Sequence, residues 1–280
     1  MKPAALLCAL LLAACSSGRA AVTSPPSPTS IPDVPTTKVV TIVLENHSDA
    51  QALDGMPYLS SLAIQYGQTT HYASLAHPSL PNYLAMAAGS TFGIADDLDA
   101  NHHPLDGQTV FDNGDAAVYS EGMTSNCQEH NQGRYAERHN AWTYFAAGHD
   151  ACMQRDRPLS QLDVAHLPAV SLVVPDLCHD AHDCGLDSAD DFLKQWVPAL
   201  LDSPEYATGK LAVVVTFDEV EHDTEGNLLT TVIAPRLKSA TIDAPLNHLA
   251  WCRWMTDLEG AAPLRDAASA PSLGAAFGLT

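Results

Sequence analysis

Three short β-branched runs constrain the fold of this chain more than any other feature: Lys38 to Leu44 (KVVTIVL), Val170 to Val174 (VSLVV) and Leu211 to Thr216 (LAVVVT). Each is apolar without alternation, which fits a strand covered on both faces, as in a parallel sheet flanked by helices. Met56 to Tyr66, Tyr83 to Gly89, Asp190 to Leu201 and His248 to Leu258 read as helices between them. Leu229 to Ala234, after the turn signal Glu225-Gly226-Asn227, reads as a fourth strand. This alternation predicts an α/β fold: a mostly parallel central sheet with helices on both faces. In such sheets ligands sit beyond the carboxyl ends of the strands. The runs deliver polar groups there: Glu45-Asn46-His47, Pro175-Asp176 and Phe217-Asp218-Glu219.

The first part of the 280 residues is of another kind. Met1-Lys2, an apolar stretch from Pro3 to Ala14 and the ending Leu12-Ala13-Ala14-Cys15 have the pattern of an export signal. The stretch is too short for a bilayer core of ~30 Å, and no later segment is long and apolar enough to cross one. A cysteine after Leu-Ala-Ala resembles a bacterial lipobox, with Cys15 as the lipidated first residue; an ordinary cut near Ala14 or Ala21 is the alternative. Ser16 to Thr37 is rich in Ser, Pro, Thr and Ala without hydrophobic period, too little apolar surface to offset ordering entropy. The expected organisation is a signal over 1–15, a tether over 16–37 and one domain with a large core over 38–280. Such a protein is exported and held at the cell surface through Cys15, or otherwise secreted.

Lysine and arginine number 13 against 33 aspartates and glutamates, a net charge of -20. That field repels phosphate backbones and anionic bilayers, which excludes nucleic-acid binding as the main task and leaves only the N-terminal anchor as a membrane contact. The sequence sets no oligomeric state. In an exported chain, proximity suggests disulfides Cys127–Cys152 and Cys178–Cys184, with Cys252 a buried thiol. A zinc site using Cys178 and Cys184 is the competing reading.

Ser79 stands in His77-Pro78-Ser79-Leu80-Pro81-Asn82-Tyr83. Pro81 at the first helical position leaves Ser79 just outside the helix, where backbone N–H groups and the dipole suit an anion such as phosphate. Most serines so placed are only caps. With no Ser-His-Asp spacing evident, a metal is the activator that would make this one a nucleophile. Glu45, Asn46, Asp218 and Glu219 supply hard oxygen ligands at two strand ends. Adjacent carboxylates leaving an apolar strand are costly without a cation or hydrogen bonds; a solvated junction is the bland alternative. Between Pro175 and Cys184 lie Asp176, His179, Asp180, His182 and Asp183. These histidines can ligate a metal, protonate a leaving group or hold phosphate. His248, at a helix start, is either a further such group or a packed one.

Glu45-Asn46-His47, Pro57-Tyr58-Leu59, His77 to Tyr83, Gly89-Ser90-Thr91, Cys178-His179-Asp180, His182-Asp183-Cys184, Asp218-Glu219 and Asn247-His248 follow in order. The set resembles the bacterial and fungal phosphoesterase family that holds secreted acid phosphatases and related phospholipases C, within the alkaline-phosphatase superfamily. The resemblance covers about residues 38–280. It implies an alkaline-phosphatase-like fold, Ser79 as nucleophile, and Glu45, Asn46, Asp218 and Glu219 as ligands of a divalent metal close to Ser79. Asn82 is placed like an asparagine that hydrogen-bonds phosphate oxygens in nucleotide pyrophosphatase-like relatives. Asp176, His179 or His182, and His248 match positions that hold a second ion in two-metal relatives. One ion is favoured, because two carboxylates with Asn46 and Ser79 nearly fill an oxygen-rich site. Phe217 stands where relatives often carry Trp. The implied reaction is hydrolysis of small phosphate monoesters through a phosphoserine, with His179, His182 or His248 as general acid and a mildly acidic optimum. A phospholipase C on the same core, or a silent tethered metal- or phosphate-binding lipoprotein, are the alternatives.

Overall fold

In a computed structural model that describes Met1 and residues 34–221 and 226–280, the first β-branched run forms strand β1 (Lys38–Leu44). The expected signal, Cys15 and most of the tether lie outside the described residues. Helices α1 (Asp49–Gly55) and α2 (Pro57–Gln65) follow, then β2 (Gly67–Thr69), β3 (Tyr72–Ala73), α3 (Ser79–Ala88) and β4 (Ala116–Ser120). Next come α4 (His149–Arg155), β5 (Asp156–Pro158), β6 (Val170–Val174), α5 (Leu186–Leu201), α6 (Pro204–Ala207) and β7 (Leu211–Phe217). The chain continues through β8 (Thr231–Ile233), β9 (Ala240–Ile242), β10 (Leu246–Asn247), α7 (His248–Leu258) and α8 (Leu273–Ala276).

The main sheet has eight strands in the order β5-β4-β6-β1-β7-β8-β2-β9. From β5 to β7 every pairing is parallel; β8 runs antiparallel to both β7 and β2, and β2 and β9 are parallel again. β3 and β10 form a separate parallel pair. Helices cover both faces, as the unalternating runs require. On one side α3, α7 and α8 pack together; α1, α2, α5 and α6 form the other group.

β1 lies at the centre, between β6 and β7, and Val39, Val40, Ile42, Val43 and Leu44 have no exposed surface. Its one internal polar residue, Thr41, accepts a hydrogen bond from the Trp251 indole of α7 at 2.8 Å, so no polar group is stranded there. Asp190 of α5 accepts from the N–H groups of Tyr58 and Leu59, capping α2 from across the helix layer. Truncating Ile42 to Ala leaves a cavity walled on both faces. We expect a loss of about 2–5 kcal/mol, read as a lower urea midpoint at unchanged slope.

Two expectations change. α3 begins at Ser79, with Pro78 in the cap position and Pro81 third in the helix, not first. A proline fits there because the first N–H groups of a helix have no intrahelical acceptor in any case. The Leu229 to Ala234 segment narrows to β8 and pairs antiparallel. Both disulfides, Cys127–Cys152 and Cys178–Cys184, are formed, so Cys178 and Cys184 are not zinc ligands. Cys252 is a buried thiol whose pKa burial pushes up to about 12.

Candidate active site

β1 and β7 run parallel in a register that sets Leu44 against Phe217. The next residues, Glu45 and Asp218, therefore leave the sheet side by side. Asn46 turns the chain at φ 61°, a left-handed conformation that asparagine tolerates, and its N–H donates to Asp218 Oδ1 at 3.2 Å. Ser48 then opens α1 with a reciprocal cap to Gln51, which fixes the exit of the turn. Glu45 and Asp218 are fully buried and Glu219 is 2 % exposed.

The N-terminus of α3 faces these carboxylates. Ser79 Oγ donates to Glu45 Oε2 at 3.0 Å and lies 3.4 Å from Glu219 Oε1. Tyr83, one turn on, donates its hydroxyl to Glu45 Oε1 at 2.8 Å. The two oxygens of Glu45 are thus divided, one to the serine and one to the tyrosine. His77, two residues before Ser79, sets Nδ1 2.5 Å from Glu219 Oε2.

Burial is what most raises the carboxyl pKa values here. That of Asp218 is pushed up to about 6, and that of Glu219, with Asp218 beside it, to about 9. Glu45 is raised for the same two reasons. Asp218 Oδ2 is buried without a hydrogen-bond partner. Three buried carboxylates, one oxygen orphaned, gather at the Ser79 hydroxyl, hard oxygen groups of the kind a divalent cation prefers.

Three other expected residues stand elsewhere. Asn82 is buried with its carboxamide committed: Oδ1 accepts from Leu75 and Ala76 N–H, while Nδ2 donates to the Ala76 carbonyl at 2.9 Å and reaches the Pro78 carbonyl and Glu219 Oε2 at 3.4 Å. It braces the loop before Ser79. His248 is fully buried, its Nε2 2.5 Å from the Asp218 carbonyl and its Nδ1 facing Tyr72. Burial pushes its pKa down to about 4, which disfavours it as a general acid, and its Nε2 is taken by the Asp218 carbonyl. Asp176 and His179 join Glu121 instead, because Ser120 pairs with Val174 and the residues beyond both strand ends meet. His179 Nδ1 lies 2.9 Å from Glu121 Oε2 and 3.7 Å from Asp176 Oδ1. Among the described residues this trio makes no hydrogen bond or ion pair with Glu45, Ser79, Asp218 or Glu219. His182 stays at the rim, its Nδ1 donating to Asp183 and its Nε2 accepting from Arg138 at 3.1 Å.

One member of the site escaped the sequence reading. His139 lies in the short 3-10 turn Glu137–His139, 1 % exposed, with Nε2 3.3 Å from Glu45 Oε1 and Nδ1 3.4 Å from Asp180 Oδ2. Its ring stacks on Tyr83 at 4.9 Å. The imidazole fills the gap between a ligand candidate from β1 and the disulfide loop after β6. No motif surrounds Glu137-Arg138-His139-Asn140 that would have marked it.

A family model described as the phosphoesterase family matches residues 43–225. The chain is 27% identical over 229 residues to a phosphatidylinositol-3-phosphatase of Mycobacterium tuberculosis, covering 75% of this chain and 72% of that protein. It is 30% identical over 235 residues to a phosphate-repressible acid phosphatase of Penicillium chrysogenum, covering 75% of this chain but only 56% of the fungal protein. The chain thus spans little more than half of that relative's length. In fold it is similar to a Vibrio parahaemolyticus protein of the alkaline phosphatase superfamily, with a TM-score of 0.57, 12% identity and coverage of 83% of this chain and 71% of that one.

Proposed function

The chain belongs to the phosphoesterase family, and from that premise we propose that it hydrolyses phosphate monoesters with Ser79 as nucleophile. The observation that carries this reading is Ser79 Oγ at the head of α3, set against the buried carboxylates Glu45 and Glu219. Glu45, Asn46, Asp218 and Glu219, with Ser79 itself, are the residues that would hold one divalent metal ion. Such an ion lowers the pKa of a nearby hydroxyl and offsets phosphate charge.

The protein's own groups divide the remaining work. The Ser79 hydroxyl proton faces Glu45 Oε2, which would take it as the oxygen attacks phosphorus in line. The Ser79 N–H and the positive end of α3 favour the anionic phosphoryl group, the Leu80 N–H being held by Asp97. The P–O bond to the alcohol breaks as the Ser79–P bond forms, and the departing alkoxide takes a proton from a rim histidine. His77, 35% exposed and paired with Glu219, is our candidate, since His182 accepts through Nε2 from Arg138 and donates through Nδ1 to Asp183. Water then hydrolyses the phosphoserine. Positioning and fixed charge supply most of the rate.

Two disulfides support maturation in an oxidising compartment, consistent with export, and Cys15 is the proposed lipid anchor. The Mycobacterium tuberculosis relative adds a second reading of the substrate, since its name specifies a phosphate carried on a phosphatidylinositol. The test is kcat/KM for p-nitrophenyl phosphate, phosphatidylinositol 3-phosphate and phosphatidylcholine across pH 4 to 9. We expect the soluble monoester to exceed phosphatidylcholine by at least about a hundredfold, a margin of at least about 2.7 kcal/mol in barrier. A tenfold advantage for phosphatidylcholine would establish the phospholipase C reading instead. Preference for phosphatidylinositol 3-phosphate would keep monoester chemistry and move the substrate to a lipid headgroup.

A further inference from the structure

Arg138 is the conspicuous cation of this site. The 3-10 turn that buries His139 carries Arg138 beside it, with only 18% of its side chain exposed. A guanidinium has five N–H donors. Among the described residues its one hydrogen bond goes to His182 Nε2 at 3.1 Å. Its Nε is buried with no hydrogen-bond partner, and Asp97 Oδ2 is 3.6 Å away, too far for one. Two other arginines spend their donors on carbonyls. Arg155 bonds the carbonyls of Phe111, Asp112 and Asn113, and Arg265 bonds those of Ala88, Asp106 and Gln108. A buried Nε–H without an acceptor is costly unless an anion completes it.

The neighbours of Arg138 tie it to the segment that carries Ser79. Asp97, the carboxylate nearest its Nε, accepts through Oδ1 from the N–H of Leu80, the residue after the nucleophile. On the other side stands His182, whose backbone N–H donates to Asp180. Arg138 therefore bridges the head of α3 and the disulfide loop above the carboxylates. Its positive charge partly offsets the burial that raises Glu45, Asp180 and Glu219.

We propose that Arg138 holds the non-bridging oxygens of the substrate phosphate and sets a preference for monoesters over diesters. The proposal rests on the phosphoesterase reading of Ser79. Three carboxylates around one divalent ion leave a net negative charge, which repels a phosphate dianion; the guanidinium cancels it. A monoester near neutral pH carries almost two charges and three free oxygens. A diester carries one charge and puts a second alcohol where the third oxygen would be. The planar fork of arginine pairs two phosphate oxygens at once, and lysine does not reproduce that.

The test uses metal-loaded full-length protein, Arg138→Ala and Arg138→Lys. It reads metal content, calorimetric affinity for inorganic phosphate, and kcat/KM for p-nitrophenyl phosphate and bis(p-nitrophenyl) phosphate. For Arg138→Ala we expect unchanged metal content, phosphate affinity weaker by about thirtyfold or more, and a monoester loss of about a hundredfold against less than about threefold for the diester. Arg138→Lys should recover only part of the monoester rate. Equal losses on both esters, or unchanged phosphate affinity, would overturn the proposal. If the wild type turned over neither ester, the reading of Ser79 would fail while the phosphate titration still decided Arg138. Should Arg138→Ala misfold by circular dichroism, Arg138→Lys carries the same comparison, and a monoester-to-diester ratio equal to wild type would refute the fork.

Discussion

Replacing Ser79 with Ala is expected to lower kcat on a phosphate monoester by at least about a thousandfold while leaving the fold and the bound metal in place. The hydroxyl is small, sits at the first position of α3 and is not the helix cap, so its loss leaves no helix end unsatisfied. Its partners, Glu45 and Glu219, are the proposed ligands and remain. The loss therefore falls on chemistry. Three readouts separate this from damage to the site: residual turnover, metal content, and phosphate trapped on the protein by acid quenching. Wild type should trap phosphate on Ser79 and the variant should trap none. Retention of more than about a tenth of the wild-type rate would remove Ser79 from the nucleophile's role.

Removing the metal should cost both activity and stability, and the stability loss should depend on pH in a fixed direction. In the metal-free protein burial raises the pKa of Asp218 from 3.8 to about 6 and that of Glu219 from 4.5 to about 9. The folded state then binds these protons more tightly than the unfolded chain. The stabilisation is fully present below the unfolded values and is lost as pH rises through the folded ones. A divalent cation replaces the protons, so its binding releases them and tightens with pH. The melting temperature with and without chelator should accordingly differ little at pH 5 and by roughly 10 °C at pH 8.5 with saturating metal. Asp218→Asn and Glu45→Gln should each weaken metal retention. A chelator-treated protein that stays active without metal by elemental analysis, or a gap that shrinks as pH rises, would contradict the ligand set.

Where the sequence spoke plainly, its signal was physical. A seven-residue run such as KVVTIVL has no polar face to offer water, so it had to be central, and β1 is. The polar residues after such runs had to be at the carboxyl edge, and Glu45, Asp218 and Glu219 are there together. β4 was illegible because AAVYS lacks a β-branched run, although all five residues are buried. His139 and Arg138 were illegible for a different reason: they arrive on a 3-10 turn with no periodicity. His248 shows the converse. Its position at the head of α7 was read correctly, but the role depended on burial, which no local pattern encodes. Asn82 was found for the motif it occupies and turned out to brace the loop in front of Ser79.

The central position of β1 also dictates when the site comes into being. Asn46 and Asp218, hydrogen-bonded neighbours in the folded protein, are 172 positions apart along the chain. As the polypeptide leaves the ribosome, β1 has neither sheet partner until β6 and then β7 emerge. Parallel pairing over such distances closes late and slowly. Until then Glu45 has no Asp218 beside it, and Ser79 heads a helix with nothing to activate it. On the proposed mechanism the site has no half-assembled form: a nascent chain is inert towards the phosphate esters of the cell that makes it until β1 and β7 meet.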